Sequence, residues 1–499
     1  MKKENIFLIP DEIASVAKTL ENKGFEAYLV GGCVRDLLIG KKPTDWDITT
    51  NAKPEEIIAS FPKTFYENDY GTVGVVNEET GEESLKVVEI TPYRLEAKYS
   101  NNRHPDSVTF SKNLEGDLKR RDFTVNAIAL KIETGSKGHY KGHLVDPYKG
   151  HDDIIQKILK TVGDALERLE EDALRVLRGV RLACQLGFTI NITTKEAIKK
   201  ATPLLKNISK ERIRDEFSRI LMTNSPLDGL TLSQELGVLP FVLPIIEKGI
   251  GVEQNQAHSY DVWEHTLRTV QHAADKKWPL EIRLAALFHD SAKPETRRKS
   301  AETGEWTFYG HEVVGARVAA KSLAELRYPK KTIDKVVKLV RWHMFFSDTE
   351  QISLSAVRRL VARVGKEDIW DLMNLRICDR IGTGRPKENP YRLRKYKSMI
   401  EEVMRDPLSV GMLKIDGTKV IEVTKIPPSP KIGYILHALL EEVLEKPELN
   451  IAEYLEKRAP ELAILGDKEL EKLGVEAKEK KELEEEKNIK EIREKYWVE

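Results

Sequence analysis

The chain has 499 residues, 40% apolar and 32% charged, with 81 basic and 81 acidic side chains. That length predicts several domains, each able to bury a core, and the composition excludes collagen-like, disordered and membrane-embedded classes. Zero net charge means that a polyanionic partner must be met by a local basic patch, and no apolar run reaches the ~20 residues of a membrane span, so the expected address is the cytosol. The cysteines Cys33, Cys184 and Cys378 are too far apart for a CxxC pair and read as small buried hydrophobes.

In chain order, hydrophobic spacing predicts helices over 11–22 and 54–61 and short strands over 27–30, 72–76, 86–91 and 125–130. Residues 1–165 therefore read as an α/β domain. From 166 onward apolar residues recur at helical spacing, through Leu174, Leu177 and Val180 to Ile213, Phe217 and Leu221, and the rest is expected to be helical. Pro and Gly punctuation near 239–251 and 382–390 divides that helical part into segments 166–250, 251–385 and 386–466. A tail over 467–499, with 12 acidic and 9 basic residues, reads as a solvated helix.

Three blocks in the first 165 residues carry chemistry. Tyr28-Leu29-Val30-Gly31-Gly32-Cys33-Val34-Arg35 runs a strand into two glycines and an arginine, a turn whose backbone N–H groups can approach phosphates. Asp45-Trp46-Asp47 sets two carboxylates at i and i+2, on one face of a strand, where they can grip Mg²⁺. Glu89, acidic within an apolar strand pattern, either faces the same metals or points to solvent. In Arg120-Arg121-Asp122-Phe123-Thr124-Val125-Asn126, two guanidinium groups beside an acid and an amide could bind triphosphate and ribose, or form a helix-surface salt bridge. Farther on, Asp172, Arg175 and Arg178 are expected on one helical stripe, at i, i+3 and i+6.

With these blocks in this order, and with Asp146-Pro147-Tyr148-Lys149-Gly150 and Glu211-Arg212-Ile213-Arg214-Asp215-Glu216, the chain resembles the nucleotidyltransferase family of bacterial-type tRNA CCA-adding enzymes and poly(A) polymerases. The resemblance is dense over 24–221. It implies a polymerase-β-like head, followed by an all-helical neck, HD domain and tail. It further implies that Asp45 and Asp47 are catalytic and bind Mg²⁺, and that Gly31, Gly32 and Arg35 hold the nucleoside triphosphate. Arg120, Arg121, Asp122, Asn126, Asp172, Arg175 and Arg178 would complete the pocket. A carboxylate at Asp172 would accept from the exocyclic amine that cytosine and adenine share and repel the carbonyl oxygen of uracil or guanine, while Arg175 would donate to ring acceptors. Glu171-Asp172-Ala173-Leu174-Arg175 is similar to the CCA-adding form rather than the Glu-Asp-Pro-Val-Arg of the polymerases. The stretch from Arg94 to Pro105 resembles the loop that relatives adding only two cytidines lack, so full CCA addition is expected. Seven basic against two acidic residues over 195–214 offer a landing surface for tRNA.

A second set lies in the middle of the chain: His265, His289-Asp290, His311, His343 and Asp379, six potential ligands within about 115 residues. On helices they could build a metal site, or be satisfied core histidines. Their order resembles the HD phosphohydrolase domain, which implies a transition metal there and an auxiliary phosphatase or cyclic phosphodiesterase. Ser291-Ala292-Lys293 departs from that domain's usual Ile-Gly-Lys without removing a ligand, and His258 is assigned no role. The expected protein is thus a CCA-adding tRNA nucleotidyltransferase using CTP and ATP, with no membrane partner. The rivals are a poly(A) polymerase and an HD hydrolase with a nucleotide-binding regulatory head.

Overall fold

The computed structural model describes residues 6–66, 71–78, 80–96, 108–111, 113–255, 259–301, 304–345, 352–470 and 473. Most of the loop expected from Arg94 to Pro105, as well as His258 and nearly all of the charged tail, lie outside them. The chain forms two compact units, residues 1–244 and 245–499.

In the first unit, strands β1 (Ile6–Leu8), β2 (Ala27–Val30), β3 (Asp47–Thr50), β4 (Thr64–Tyr66), β5 (Val73–Val76), β6 (Val87–Pro92), β7 (Ala129–Ser136) and β8 (His139–Val145) make one sheet. Their order is β1-β8-β7-β2-β3-β6-β5-β4. The centre is held by alternating apolar side chains: Leu29, Ile48, Val88 and Ile90 are fully buried. Helix α1 (Asp11–Asn22) lays Ile13, Val16, Ala17 and Leu20 into this core, one apolar stripe at helical spacing. β3 and β6 run parallel with Asp47 beside Glu89, so both carboxylates share one face at the head of the sheet.

Helix α1 and strand β2 coincide with the expected spans, whereas the helix expected over 54–61 ends at Ile58. The strand expected over 125–130 is a correction: Thr124–Asn126 turns as a 3-10 helix and the strand begins at Ala129. The basic stretch over 195–214 is also not one helix. It runs through α6 (Ile192–Ala201), a 3-10 turn at Thr202–Asn207 and the start of α7 (Lys210–Leu221). Before these come α2 (Gly32–Leu38), α3 (Leu114–Lys119), α4 (Ala165–Glu171) and α5 (Leu174–Leu186).

The second unit is helical, apart from a short hairpin of Arg298–Lys299 with Trp306–Thr307 that the sequence reading did not foresee. Its first half packs α8 (Val262–Asp275), α9 (Leu280–Phe288), α10 (His311–Glu325), α11 (Lys330–Trp342) and α12 (Ile369–Gly382). Gly382 permits the close crossing of α8 and α12, since a Cβ there would lie 2.1 Å from Thr269 Oγ1 and 3.0 Å from His265 Nδ1. Among the described residues no helix is long and apolar enough to cross a membrane.

The 3-10 turn is pinned by Gly150, where a Cβ would sit 2.1 Å from the Thr124 carbonyl oxygen. Gly150→Ala is expected to cost about 1–3 kcal/mol by overpacking, read as a lower midpoint in urea unfolding. An unchanged midpoint would contradict this packing.

Candidate active site

Gly31 leaves β2 with φ 80° and ψ −133°, a conformation open to glycine. A Cβ at this position would lie 2.9 Å from Arg121 Nη1 and 3.6 Å from Asp47 Oδ2, so the backbone turn, an arginine and a carboxylate meet in one gap. Trp46 is buried, while Asp45 beside it is exposed and Asp47 half-buried. Asp45 precedes β3 rather than lying within it. Burial raises the Asp47 pKa, the Arg121 charge opposes that, and the Asp45 charge adds to it. Two neighbouring carboxylates that repel each other suit a divalent cation. Glu89, exposed and in register with Asp47, joins them on this face.

Arg35 lies beneath the turn instead of projecting from it. It is buried, donates through Nη1 to Asn126 Oδ1 at 2.8 Å and through Nε to Asp36 Oδ1 at 2.9 Å. The cation that faces Gly31 is Arg121. Arg120 and Arg121 are both gathered by Asp117, which is fully buried and takes Arg120 Nη2 at 2.7 Å and Arg121 Nη2 at 3.4 Å. The sequence reading missed Asp117, whose one signal was an acid one turn before a pair of arginines. Burial would raise its pKa, but the charges of Arg120, Arg121 and Arg94 outweigh that and hold it below its ordinary 3.8.

Asp122 continues the wall. Its Oδ1 accepts from the Phe123 N–H at 2.8 Å and Asn126 Nδ2 at 3.4 Å, and its Oδ2 pairs with Arg178 Nη2 at 2.8 Å. Arg35, Asn126, Asp122 and Arg178 thus form one connected polar chain. The stripe expected of Asp172, Arg175 and Arg178 is a correction: α4 ends at Glu171, Asp172 is extended (φ −138°, ψ 102°), and α5 starts at Leu174. Asp172 stops one helix and steadies the next, accepting the Leu174 N–H at 3.1 Å. Arg175 is buried and occupied, donating to Arg168 O at 2.8 Å, Glu171 Oε2 at 2.6 Å and Arg120 O at 3.2 Å.

In the second unit all six expected ligands come together and are buried. They form two groups, His265, His289 and Asp379, and Asp290, His311 and His343. Asp290 joins the groups: its Oδ2 is 3.1 Å from His265 Nε2 and 3.2 Å from His289 Nε2, while its Oδ1 is 3.3 Å from His311 Nε2. His289, His311 and His343 each turn Nδ1 to a backbone carbonyl three residues earlier, at 2.8, 2.7 and 2.7 Å. A carbonyl only accepts, so Nδ1 carries a proton and Nε2 is the atom turned to the centre. His311 and His343 face each other there through Nε2 at 3.2 Å, an arrangement that suits a shared cation. Mixed nitrogen and oxygen donors fit a transition metal better than Mg²⁺. A cavity of about 920 Å³ opens onto this centre, lined by Asp290, His311, His343, Arg376 and Asp379.

Comparison with known proteins finds matches along most of the chain. The family model described as "Poly A polymerase head domain" matches residues 27–160, "Probable RNA and SrmB- binding site of polymerase A" matches 187–250, and "HD domain" matches 262–381. The chain is 35% identical to the CC-adding tRNA nucleotidyltransferase of Thermus thermophilus over 83% of its own length and 89% of that protein. It is 41% identical to the CCA-adding enzyme of Geobacillus thermodenitrificans over 49% of its own length and 57% of that protein. The crystal structure of the Bacillus stearothermophilus CCA-adding enzyme in complex with CTP superposes with a TM-score of 0.66 at 28% identity, covering 90% of this chain and 96% of that one.

Asp117 supplies a pH test. Its folded pKa lies below 3.8, so its stabilising contribution is complete above that value and is lost as the pH falls through the folded one. Asp117→Asn is expected to lower stability at neutral pH and to flatten the loss of stability between about pH 5 and pH 2. Parallel acid profiles of the two proteins would contradict it.

Proposed function

The chain belongs to the tRNA nucleotidyltransferase family of CC-adding and CCA-adding enzymes, and from that premise we propose that it builds the CCA end of tRNA. The tRNA 3′ hydroxyl attacks the α-phosphate of CTP, twice, and then of ATP. At each step a new P–O bond forms, the bond to the β-phosphate breaks, the hydroxyl proton is released and pyrophosphate leaves. The observation that carries this reading is the meeting of Asp47 and Arg121 at the gap beside Gly31.

Asp45, Asp47 and Glu89 offer hard carboxylate oxygens, a donor set suited to Mg²⁺. Bound there, Mg²⁺ would lower the pKa of the attacking hydroxyl and neutralise phosphate charge. Arg121 provides the cation on the opposite side of the turn. The chain from Arg35 through Asn126 and Asp122 to Arg178 keeps the pocket wall in one shape. Asp172 selects C and A by accepting from their exocyclic amine. Lys199, Lys200 and Lys206, all exposed along α6 and the turn after it, meet tRNA phosphates. The Glu171-Asp172-Ala173-Leu174-Arg175 form favours CCA addition over poly(A) synthesis, and the resemblance of Arg94 to Pro105 to the loop that CC-adding relatives lack favours the terminal A as well.

Incubation with tRNA lacking its 3′ end, with CTP and ATP, is expected to give three added residues. Asp45→Ala and Asp47→Ala should reduce extension by at least about 10³-fold, the loss of a metal-bound catalytic centre. Arrest after two cytidines would convert the reading to CC addition, long A tails on unrelated RNA would make the protein a poly(A) polymerase, and no extension would leave the head as a regulatory module.

The second unit supports a second activity, metal-assisted hydrolysis of phosphate esters, because Asp290 lies between the two buried groups, its Oδ2 beside His265 and its Oδ1 beside His311. His289 and His311 would hold metal on either side of that carboxylate. Asp290→Ala is expected to empty the centre of metal, measured by elemental analysis after dialysis, and His289→Ala to abolish ester hydrolysis while nucleotide addition continues. Full metal content in Asp290→Ala would overturn the shared-carboxylate reading.

A further inference from the structure

A carboxylate distinguishes an amine from a carbonyl oxygen only if its lone pairs are aimed, and an unrestrained aspartate turns about two bonds. Two contacts restrain Asp172. The Leu174 N–H donates to Oδ1 at 3.1 Å, and Arg212 Nη2 donates to Oδ2 at 2.8 Å. The first contact belongs to the local helix start. The second crosses from α7, so the aim of Asp172 depends on how α7 packs against α5.

That packing is itself polar. Glu216, one turn after Arg212, accepts from Arg181 Nε at 2.7 Å and pairs with Arg219 Nη1 at 3.5 Å. Asp122 first, then Glu216 and Asp172, raise the pKa of the Arg178 guanidinium and hold it charged. Within this lattice Arg212 keeps Nη1 buried and without an acceptor among the described residues. The pair remains partly open, with side chains 27% and 16% exposed, so a ligand can reach it. Arg175 is no substitute, since its guanidinium is enclosed by Arg168, Glu171 and Arg120.

We propose that Arg212 is a positioning residue for nucleotide selection: its Nη2, donated to Oδ2, fixes the Asp172 carboxylate so that the lone pairs left over face the exocyclic amine of C or A. The proposal rests on Asp172 being the group that reads the base. A lysine at 212 would restore the charge but not the fixed donor direction of the planar guanidinium, and a rescue should therefore be partial.

The test is kcat/KM for CTP, UTP and GTP on tRNA lacking its 3′ end, and for ATP, UTP and GTP on tRNA already carrying the two cytidines, using the full chain and its Arg212→Ala, Arg212→Gln, Arg212→Lys and Asp172→Ala variants. Arg212→Ala and Arg212→Gln are expected to lower discrimination against UTP and GTP by at least about tenfold, the worth of one charge-assisted hydrogen bond. KM for CTP should rise more than kcat falls, and Arg212→Lys should recover part of the discrimination. An equal fall in rate with all four nucleotides would make Arg212 merely structural and overturn the proposal. If Asp172→Ala relaxes selection while the Arg212 variants do not, the proposal alone fails; if Asp172→Ala changes nothing, the reading of Asp172 fails with it.

Discussion

Gly31 can carry no side chain, and the catalytic end of the first unit is built around that exclusion. The space a Cβ would take lies between Arg121 Nη1, 2.9 Å away, and Asp47 Oδ2, 3.6 Å away. A cation and a carboxylate facing one stretch of bare backbone would otherwise pair and close the site. Here Asp117 also takes Arg121, at 3.4 Å from Nη2, and the Asp47 pKa is raised by burial, lowered by Arg121 and raised by Asp45, so several charges compete at this turn.

The same logic extends outward as a sequence of buried acids, each holding an arginine that would otherwise collapse onto its neighbour. Asp117 gathers Arg120 and Arg121, Asp122 holds Arg178, and Glu216 holds Arg181. Charges buried in this way are costly unless paired, so the pattern rigidifies the pocket and leaves few alternative side-chain arrangements. Asp172 sits at the edge of this lattice, joined to it through Arg212, where a base can still approach.

Much of this was legible in the sequence, and what was not has specific causes. Helix 11–22 and strand 27–30 emerged because their apolar residues recur at one clean period. Strand β8 did not, since His139–Val145 contains no fully buried residue and so no alternation. Phe123 to Leu130 is buried from end to end, and Thr124 and Asn126 alternate with apolar residues in a way that imitates the period of a strand. The break at Asp172 lacks Pro or Gly, and its signal was only an aspartate suited to capping. In the second unit the six ligands were visible as residue types, yet their division into two triads, with Asp290 of one reaching the histidines of the other, is a property of helix packing that spacing does not encode. Arg212 lay inside a recognised motif, but its partner is 40 residues away in the chain and appears only once α5 and α7 meet.

The central claim is that the Asp45 and Asp47 carboxylates, beside the Gly31 turn, hold the metal and the incoming nucleotide. A crystal grown with CTP and Mn²⁺ in place of Mg²⁺, with anomalous data collected, tests it most directly. The account predicts an anomalous peak within coordination distance, roughly 2.0–2.2 Å, of both carboxylates, with the triphosphate between that peak and Arg121. A map with CTP bound elsewhere, and Asp47 closed onto Arg121 with no anomalous density beside it, would contradict it.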